Sequence, residues 1–217
     1  LHEISKTTSN FYYGVLEVLE SGKFEKLKLE DLKDTSQALE SEILRLSPLR
    51  ALRNEEMIQF KVSKSITYVL SVFKRRFKAL NIDFNFNHDQ DFEIKARYGA
   101  LNQILTNLFD NACYWMDKPE IIDRKIRLRI DASDRTIIVA DNGEGIHDSI
   151  MPYLFQPGYS LKFPPSGLGL YVCKHYMNSM KKRGDIYLAK NRDRIQGLNG
   201  AQFLLDFSKV ISNEDAD

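Results

Sequence analysis

Ile137-Ile138-Val139-Ala140-Asp141-Asn142-Gly143-Glu144-Gly145-Ile146 passes from an apolar strand straight into a loop with two glycines. An aspartate at a strand end can accept a hydrogen bond from an exocyclic amine such as that of adenine. Glycines two residues apart let a backbone approach a flat base closely. Read alone, the stretch is equally a hairpin turn, because Asn-Gly is a common turn dipeptide. Its neighbours decide between the two readings.

Upstream, Asn107-Leu108-Phe109-Asp110-Asn111-Ala112 sits in a helical pattern spanning about 98–117, closed off by Pro119. Asn107 and Asn111 are four apart and share a helix face, which Gln103 extends. Amide oxygens are neutral, hard ligands suited to Mg²⁺ already crowded by phosphates. The same stripe would also serve as a plain polar helix face. Downstream, Ser166-Gly167-Leu168-Gly169-Leu170 opens another helix, expected over about 168–182. Glycines ahead of a helix start expose N–H groups, and the helix dipole favours an anion there. Capping alone would also explain them.

The flanking elements fit one mixed sheet. Ile58, Phe60 and Val62 alternate as a short strand, and Ile66, Val69, Phe73, Phe77 and Leu80 line one face of a helix. Ile82-Asp83-Phe84-Asn85-Phe86 alternates strictly. Strands are expected at about 125–133 and 135–141 around a tight Ser133-Asp134-Arg135 turn, and near 185–190 and 201–207. Helices and strands mix without regular βαβ alternation. The expected fold class is therefore α+β, a two-layer sandwich with helices on one face of a mixed sheet.

Residues 1–54 read differently. Ile4, Phe11, Val15 and Val18, then Leu32, Ser36, Leu39, Ile43 and Leu46, recur at steps of three, four and seven. That is the seam of an α-helical hairpin. Such a hairpin buries its seam by pairing with a second copy in a four-helix bundle. The expected organisation is a helical dimerisation hairpin over 1–54 and an α+β domain over 55–217.

Asparagines on a helix, then Asp-x-Gly-x-Gly after a strand, then Gly-Leu-Gly-Leu at a helix start together resemble the GHKL superfamily and its Bergerat ATP-binding fold. That group contains sensor histidine kinases, gyrase-type topoisomerases, mismatch-repair ATPases and the ninety-kilodalton chaperones. The resemblance covers about residues 58–208. Tyr153-Leu154-Phe155-Gln156-Pro157-Gly158-Tyr159-Ser160-Leu161-Lys162 is similar to the phenylalanine box of the kinases. Gly200-Ala201-Gln202-Phe203 resembles the closing strand of their catalytic domain. The resemblance implies ATP and Mg²⁺ as cofactors, with Asn111 as the Mg²⁺ ligand and Asn107 in support. It implies that Asp141 holds the adenine amine, that Gly143, Gly145 and Ile146 shape the pocket, and that Ser166, Gly167, Leu168, Gly169 and Leu170 meet the phosphates. Lys162 is a candidate lid cation.

Hydrolases of the superfamily, and its anti-sigma serine kinases, usually carry Glu where this chain has Asn107. A carboxylate there can act as general base, and a neutral amide cannot. Asn107 thus resembles the histidine kinases, and His2-Glu3-Ile4 resembles their phosphoacceptor segment, with Glu3 able to take the imidazole proton. The expected activity is an ATP-dependent protein histidine kinase whose partners are a second copy, through the N-terminal helices, and a response-regulator receiver domain. A non-kinase ATPase of the same superfamily and an ATP-gated dimerisation or scaffold module are the alternatives. The chain departs from the kinase pattern at Tyr114, where Lys is frequent, and at Pro165, where a further glycine is usual.

The 217-residue chain is 43% hydrophobic and 28% charged, with formal net charge +1 from 31 basic and 30 acidic residues. No nucleic-acid partner is expected from that balance. No apolar run approaches the ~18 residues of a membrane span, and no signal peptide opens the chain. The chain begins at Leu1, which reads as a fragment of a longer protein. Cys113 and Cys173 read as small buried residues in a reducing, cytoplasmic compartment. Of the four histidines, His88, His147 and His175 read as structural or solvent-facing.

Overall fold

The chain divides into two compact units, Leu1–Asn54 and Glu55–Asp217. The computed structural model describes residues 55–86, 90–159, 162, 168–180, 183–190 and 193–210. The helical hairpin expected over 1–54, with His2 and Glu3, lies outside the described residues.

The second unit runs β1 (Met57–Lys61), α1 (Val62–Ala79), β2 (Ile82–Phe86), β3 (Glu93–Arg97), α2 (Tyr98–Met116), β4 (Arg124–Asp131), β5 (Thr136–Asp141), a 3₁₀ helix (Asp148–Tyr153), α3 (Gly169–Ser179), β6 (Asp185–Leu188) and β7 (Gln202–Asp206). Five strands form a sheet in the order β2-β4-β5-β7-β6. β2 and β4 are parallel, and the other neighbours are antiparallel.

One expectation needs correcting. The sheet is not alone, because β1 pairs with β3 in a separate two-stranded ribbon. β3 carries only Ile94 and Ala96 as buried apolar residues between charged ones, so its alternation is too short to stand out. α3 also stops at Ser179 rather than near 182.

The long helices start without side-chain caps of their own. In α1 the first-turn groups are met across the chain: Val62 N–H donates to the Phe92 carbonyl (3.0 Å), and Ser63 donates through N (3.2 Å) and Oγ (2.6 Å) to Asp91. In α2 both Glu55 carboxylate oxygens accept from Gly99 N–H (2.8 and 3.1 Å). A carboxylate at a helix start satisfies an orphan donor and opposes the positive end of the dipole. α1 buries Val62, Ile66, Val69, Phe73 and Phe77 at steps of three and four. Phe73, Phe77 and Phe109 meet with centroids 5.6 Å apart, and Phe84 of β2 joins them at 5.4 Å from Phe77. This aromatic cluster locks α1 and α2 to the sheet edge.

The helices pack side by side, α2 touching both α1 and α3. Ile138 and Ala140 of β5 and Leu204 of β7 pack with Ala189, Ile195 and Leu198, so the segment before β7 forms a second small core. Gln202, 1% exposed, holds that segment: its Oε1 accepts from Ile195 N–H (2.8 Å) and its Nε2 donates to the carbonyls of Ile195 (3.1 Å) and Leu198 (2.9 Å). The segment thereby reaches β7 through Asn199 and Gly200, beside the end of β5.

Candidate nucleotide site

A cavity of about 330 Å³ opens between α2, the loop after β5, the 3₁₀ helix and the start of α3. This is within the usual range of small-molecule sites. At its base lies Asp141, only 6% exposed. Asp141 Oδ1 accepts from Gly143 N–H (2.8 Å) and Ala201 N–H (3.1 Å). Burial pushes its carboxyl up to about 6, against the opposing pull of those two bonds. Its Oδ2 has no hydrogen-bond partner among the described residues, and the residue lines the cavity. A carboxylate oxygen without a partner at a cavity surface is a ready acceptor for a ligand's donor.

Glycines make this seat possible. A Cβ on Gly200 would lie 2.2 Å from Asp141 Oδ1 and 2.5 Å from both its carbonyl oxygen and Gly143 N. A Cβ on Gly143 would meet Asp141 Oδ1 at 3.0 Å. Gly145 has φ +79°, the left-handed region. The Asn142-Gly143 pair is no hairpin turn: Asn142 Oδ1 accepts from Lys125 N–H (2.6 Å) and Nδ2 donates to the Asp123 carbonyl (2.5 Å), tying the loop to the start of β4.

The opposite end is built from α2 and α3. Asn107 and Asn111 both line the cavity, with Gly169 and Leu170 across from them. Asn107 Nδ2 donates to the Gly169 carbonyl (3.0 Å), and its Oδ1 accepts from Gln103 Nε2 (3.1 Å). The Asn111 amide has no hydrogen bond among the described residues. Lys162 lies against α2, its ammonium 2.9 Å from Asp110 Oδ2 and 5.0 Å from the centre of the Tyr114 ring. Asp110 Oδ1 also receives Arg76, at 2.5 Å. Burial raises the Asp110 carboxyl, but hydrogen bonds from Lys162 and Arg76 outweigh it and hold the pKa below the ordinary value.

The structure therefore gathers Asn107, Asn111, Asp141, Gly145, Ile146, Lys162, Gly169 and Leu170 around one cavity. Gly143 stands behind Asp141, and Leu168 occupies the N-cap of α3, neither among the lining residues. Ser166 and Gly167 lie outside the described residues. Asp110, to which the sequence reading assigned no role, lines the cavity, with its charge committed to Lys162 and Arg76. The sequence reading also missed Trp115, Glu144, Ile150, Tyr159 and Tyr171 at the rim, and Gly200 beneath Asp141. Trp115 was findable, being one turn beyond Asn111. His147 caps the 3₁₀ helix, its Nδ1 accepting from Ser149 N–H at 3.3 Å, and also lines the rim. His175 is exposed on α3, and His88 lies outside the described residues. Cys113 and Cys173 are buried, and burial pushes their thiols up to about 11 and about 12.

A buried acceptor at the floor of the cavity, an amide stripe and a glycine-led helix start are the features expected of an ATP-binding α+β sandwich of the histidine-kinase type. Residues 97–209 match the model of the histidine kinase-, DNA gyrase B- and HSP90-like ATPases, and the chain belongs to that family. It is 27% identical to the sensor histidine kinase ZraS of Salmonella typhimurium over 152 residues, 69% of this chain and 31% of that protein. It is 30% identical to sporulation kinase D of Bacillus subtilis over 97 residues, 44% of this chain and 18% of that protein. The chain thus spans about a third or less of these curated relatives. The catalytic domain of histidine kinase ThkA shares the fold, with TM-score 0.58, 24% identity, and coverage of 71% of this chain and 96% of that one. So does histidine kinase ThkA in complex with response regulator protein TrrA, with TM-score 0.56, 20% identity, and coverage of 96% and 59%. Among the described residues no helix is long and apolar enough to cross a membrane.

Proposed function

We propose that this chain binds Mg-ATP in the cavity and, as the cytoplasmic core of a histidine kinase, passes the γ-phosphate to a histidine. His2 is the candidate acceptor, with Glu3 to take its proton. The observation that carries the reading is the Asp141 seat. A 6%-exposed carboxylate has one oxygen fixed by two main-chain donors, and its other oxygen suits the exocyclic amine of adenine. Asn111 offers Mg²⁺ a neutral oxygen ligand, and Asn107 supports it from one turn away. Bound Mg²⁺ would offset phosphate charge during transfer. Lys162 supplies a cation near the same end, and the α3 start faces it with N–H groups.

The chain's own groups favour transfer over hydrolysis. A carboxylate one turn before Asn111 could serve as general base toward water. Asn107 is an amide engaged with Gly169, and Asp110 is held ionised between two cations, which weakens it as a base. The receiver domain of a response regulator is the proposed downstream partner, supported by the regulator named in the ThkA complex. Homodimerisation through residues 1–54 is proposed on their apolar seam.

Trp115 is the single tryptophan and lines the cavity, so quenching of its fluorescence reads nucleotide binding directly. Incubation with γ-labelled ATP and Mg²⁺ should leave an acid-labile, base-stable label that His2→Ala removes. Free phosphate without protein label would turn the reading to an ATPase, and binding with neither product would turn it to an ATP-gated scaffold.

A further inference from the structure

Asn107 has a use that its place near a metal does not explain. The Gly169 carbonyl can only accept, so the amide nitrogen must face it, and the 3.0 Å contact fixes that orientation. Oδ1 is thereby turned to Gln103, whose Nε2 donates to it at 3.1 Å. The same nitrogen lies 3.7 Å from Cys173 Sγ, one turn further along α3. A Cβ added to Gly169 would sit 3.9 Å from Asn107 Cγ, so the helix starts in direct contact with this side chain.

We propose that Asn107 is a positioning residue: its amide N–H bolts the first turn of α3 to α2, and Gln103 holds the amide in the donating orientation. The proposal rests on the nucleotide reading above and says how Asn107 supports that site. It also gives the amide a positive reason. Aspartate or glutamate at position 107 would set a carboxylate against the Gly169 carbonyl, two acceptors with no proton between them. A carboxylate there replaces a hydrogen bond with a repulsion between acceptors, which costs more than exchanging one neutral hydrogen bond for another. A chain with Asn here therefore has a pre-joined α2–α3 corner before any ligand arrives, and less ordering is left to binding.

A metal ligand and a bolt respond oppositely to Asn107→Asp. A carboxylate keeps or strengthens a Mg²⁺ ligand, whereas it destroys a donor. ADP binding, read by Trp115 fluorescence with EDTA and again with Mg²⁺, separates them. Asn107→Asp should weaken Mg-free ADP binding roughly tenfold and Gln103→Met roughly threefold, the scale of a lost hydrogen bond. Asn111→Ala should remove the Mg²⁺ increment. Hydrogen exchange in the ligand-free protein gives a readout independent of nucleotide. Both Asn107→Asp and Gln103→Met should speed exchange at Gly169–Val172 while β5 stays protected. Parent-like Mg-free affinity and exchange in Asn107→Asp, with only Mg²⁺ dependence altered, would overturn the proposal. If Asn107→Asp fails to fold, Gln103→Met decides by the same two measurements. A parent that binds no ADP would sink the nucleotide reading, yet faster exchange in the variants would still support the bolt.

Discussion

At one end of the cavity Asp141 is held by main-chain N–H groups and by glycines with no room for a Cβ. At the other, Asp110, Lys162 and Arg76 are held by charge on side chains that are 46%, 16% and 44% exposed. Backbone and steric constraints inside a core admit little adjustment. Partly exposed ion pairs are screened and individually weak. The Asp141 end, proposed for the base, is thus built to be rigid, and the Asp110 end, proposed for the phosphates, to be adjustable. Substitutions at the two ends should differ accordingly in size and in sensitivity to salt.

The largest effect should come from Gly200→Ala. Its Cβ would collide with Asp141 Oδ1 at 2.2 Å and with two main-chain atoms at 2.5 Å. Backbone cannot yield as a flexible side chain can, because β5 and β7 are paired there by Asp141 N–H to the Ala201 carbonyl (3.0 Å). The expected loss is about 3 kcal/mol or more, seen as a large fall in the urea midpoint or as insoluble protein. Parent-like stability would show that the base end is softer than its geometry implies.

That glycine also shows where sequence reading stops. The Asp141-x-Gly143-x-Gly145 spacing is local, so the loop and its flanking strand were legible from ten residues. Asn107, Asn111 and Gly169 were legible because helical period places amides on one face and glycines announce a helix start. Gly200 meets Asp141 from far along the sequence, beside the Ala201 N–H that bonds Asp141 across sixty residues, through a pairing that no local pattern reports. Asp110 escaped for a related reason. A helical wheel gives its direction from α2, but Lys162 and Arg76 arrive from elements far away in the chain. β3 escaped because pairing with β1, rather than its own apolar content, makes it a strand.

Asp141→Asn should come next, with its effects on binding and stability opposed. Burial raises the Asp141 carboxyl from 3.8 to about 6, so the folded state binds this proton more tightly than the unfolded chain. The stability it contributes is full below about pH 4 and lost as pH rises through about 6. At pH 7 an ionised Asp141 therefore costs the ligand-free domain about 3 kcal/mol at most. Asparagine keeps an acceptor for Gly143 and Ala201 without the charge. The variant should melt higher than the parent at pH 7, the gap closing toward pH 4, while ATP affinity falls at least tenfold because Nδ2 would meet the adenine amine donor to donor. The parent-to-variant affinity ratio should shrink as pH drops through 6. Undiminished ATP affinity in this variant would remove the base-end assignment altogether.

Asp110→Asn should be the smallest, and salt is what identifies it. The carboxyl is held below its ordinary pKa by Lys162 and Arg76 despite partial burial. Stability from these pairs is present above the unfolded pKa and lost as pH falls through the lower folded value. Exposure of Asp110 and Arg76 near one half limits the loss to about 1 kcal/mol at pH 7. Urea unfolding should show that loss in ~0.1 M salt, and most of it should vanish in ~1 M salt, where the Debye length is about 3 Å. The Gly200→Ala loss should be the same in both. A salt-independent loss at Asp110 would mean that its fit against α2, rather than its charge, holds this end together.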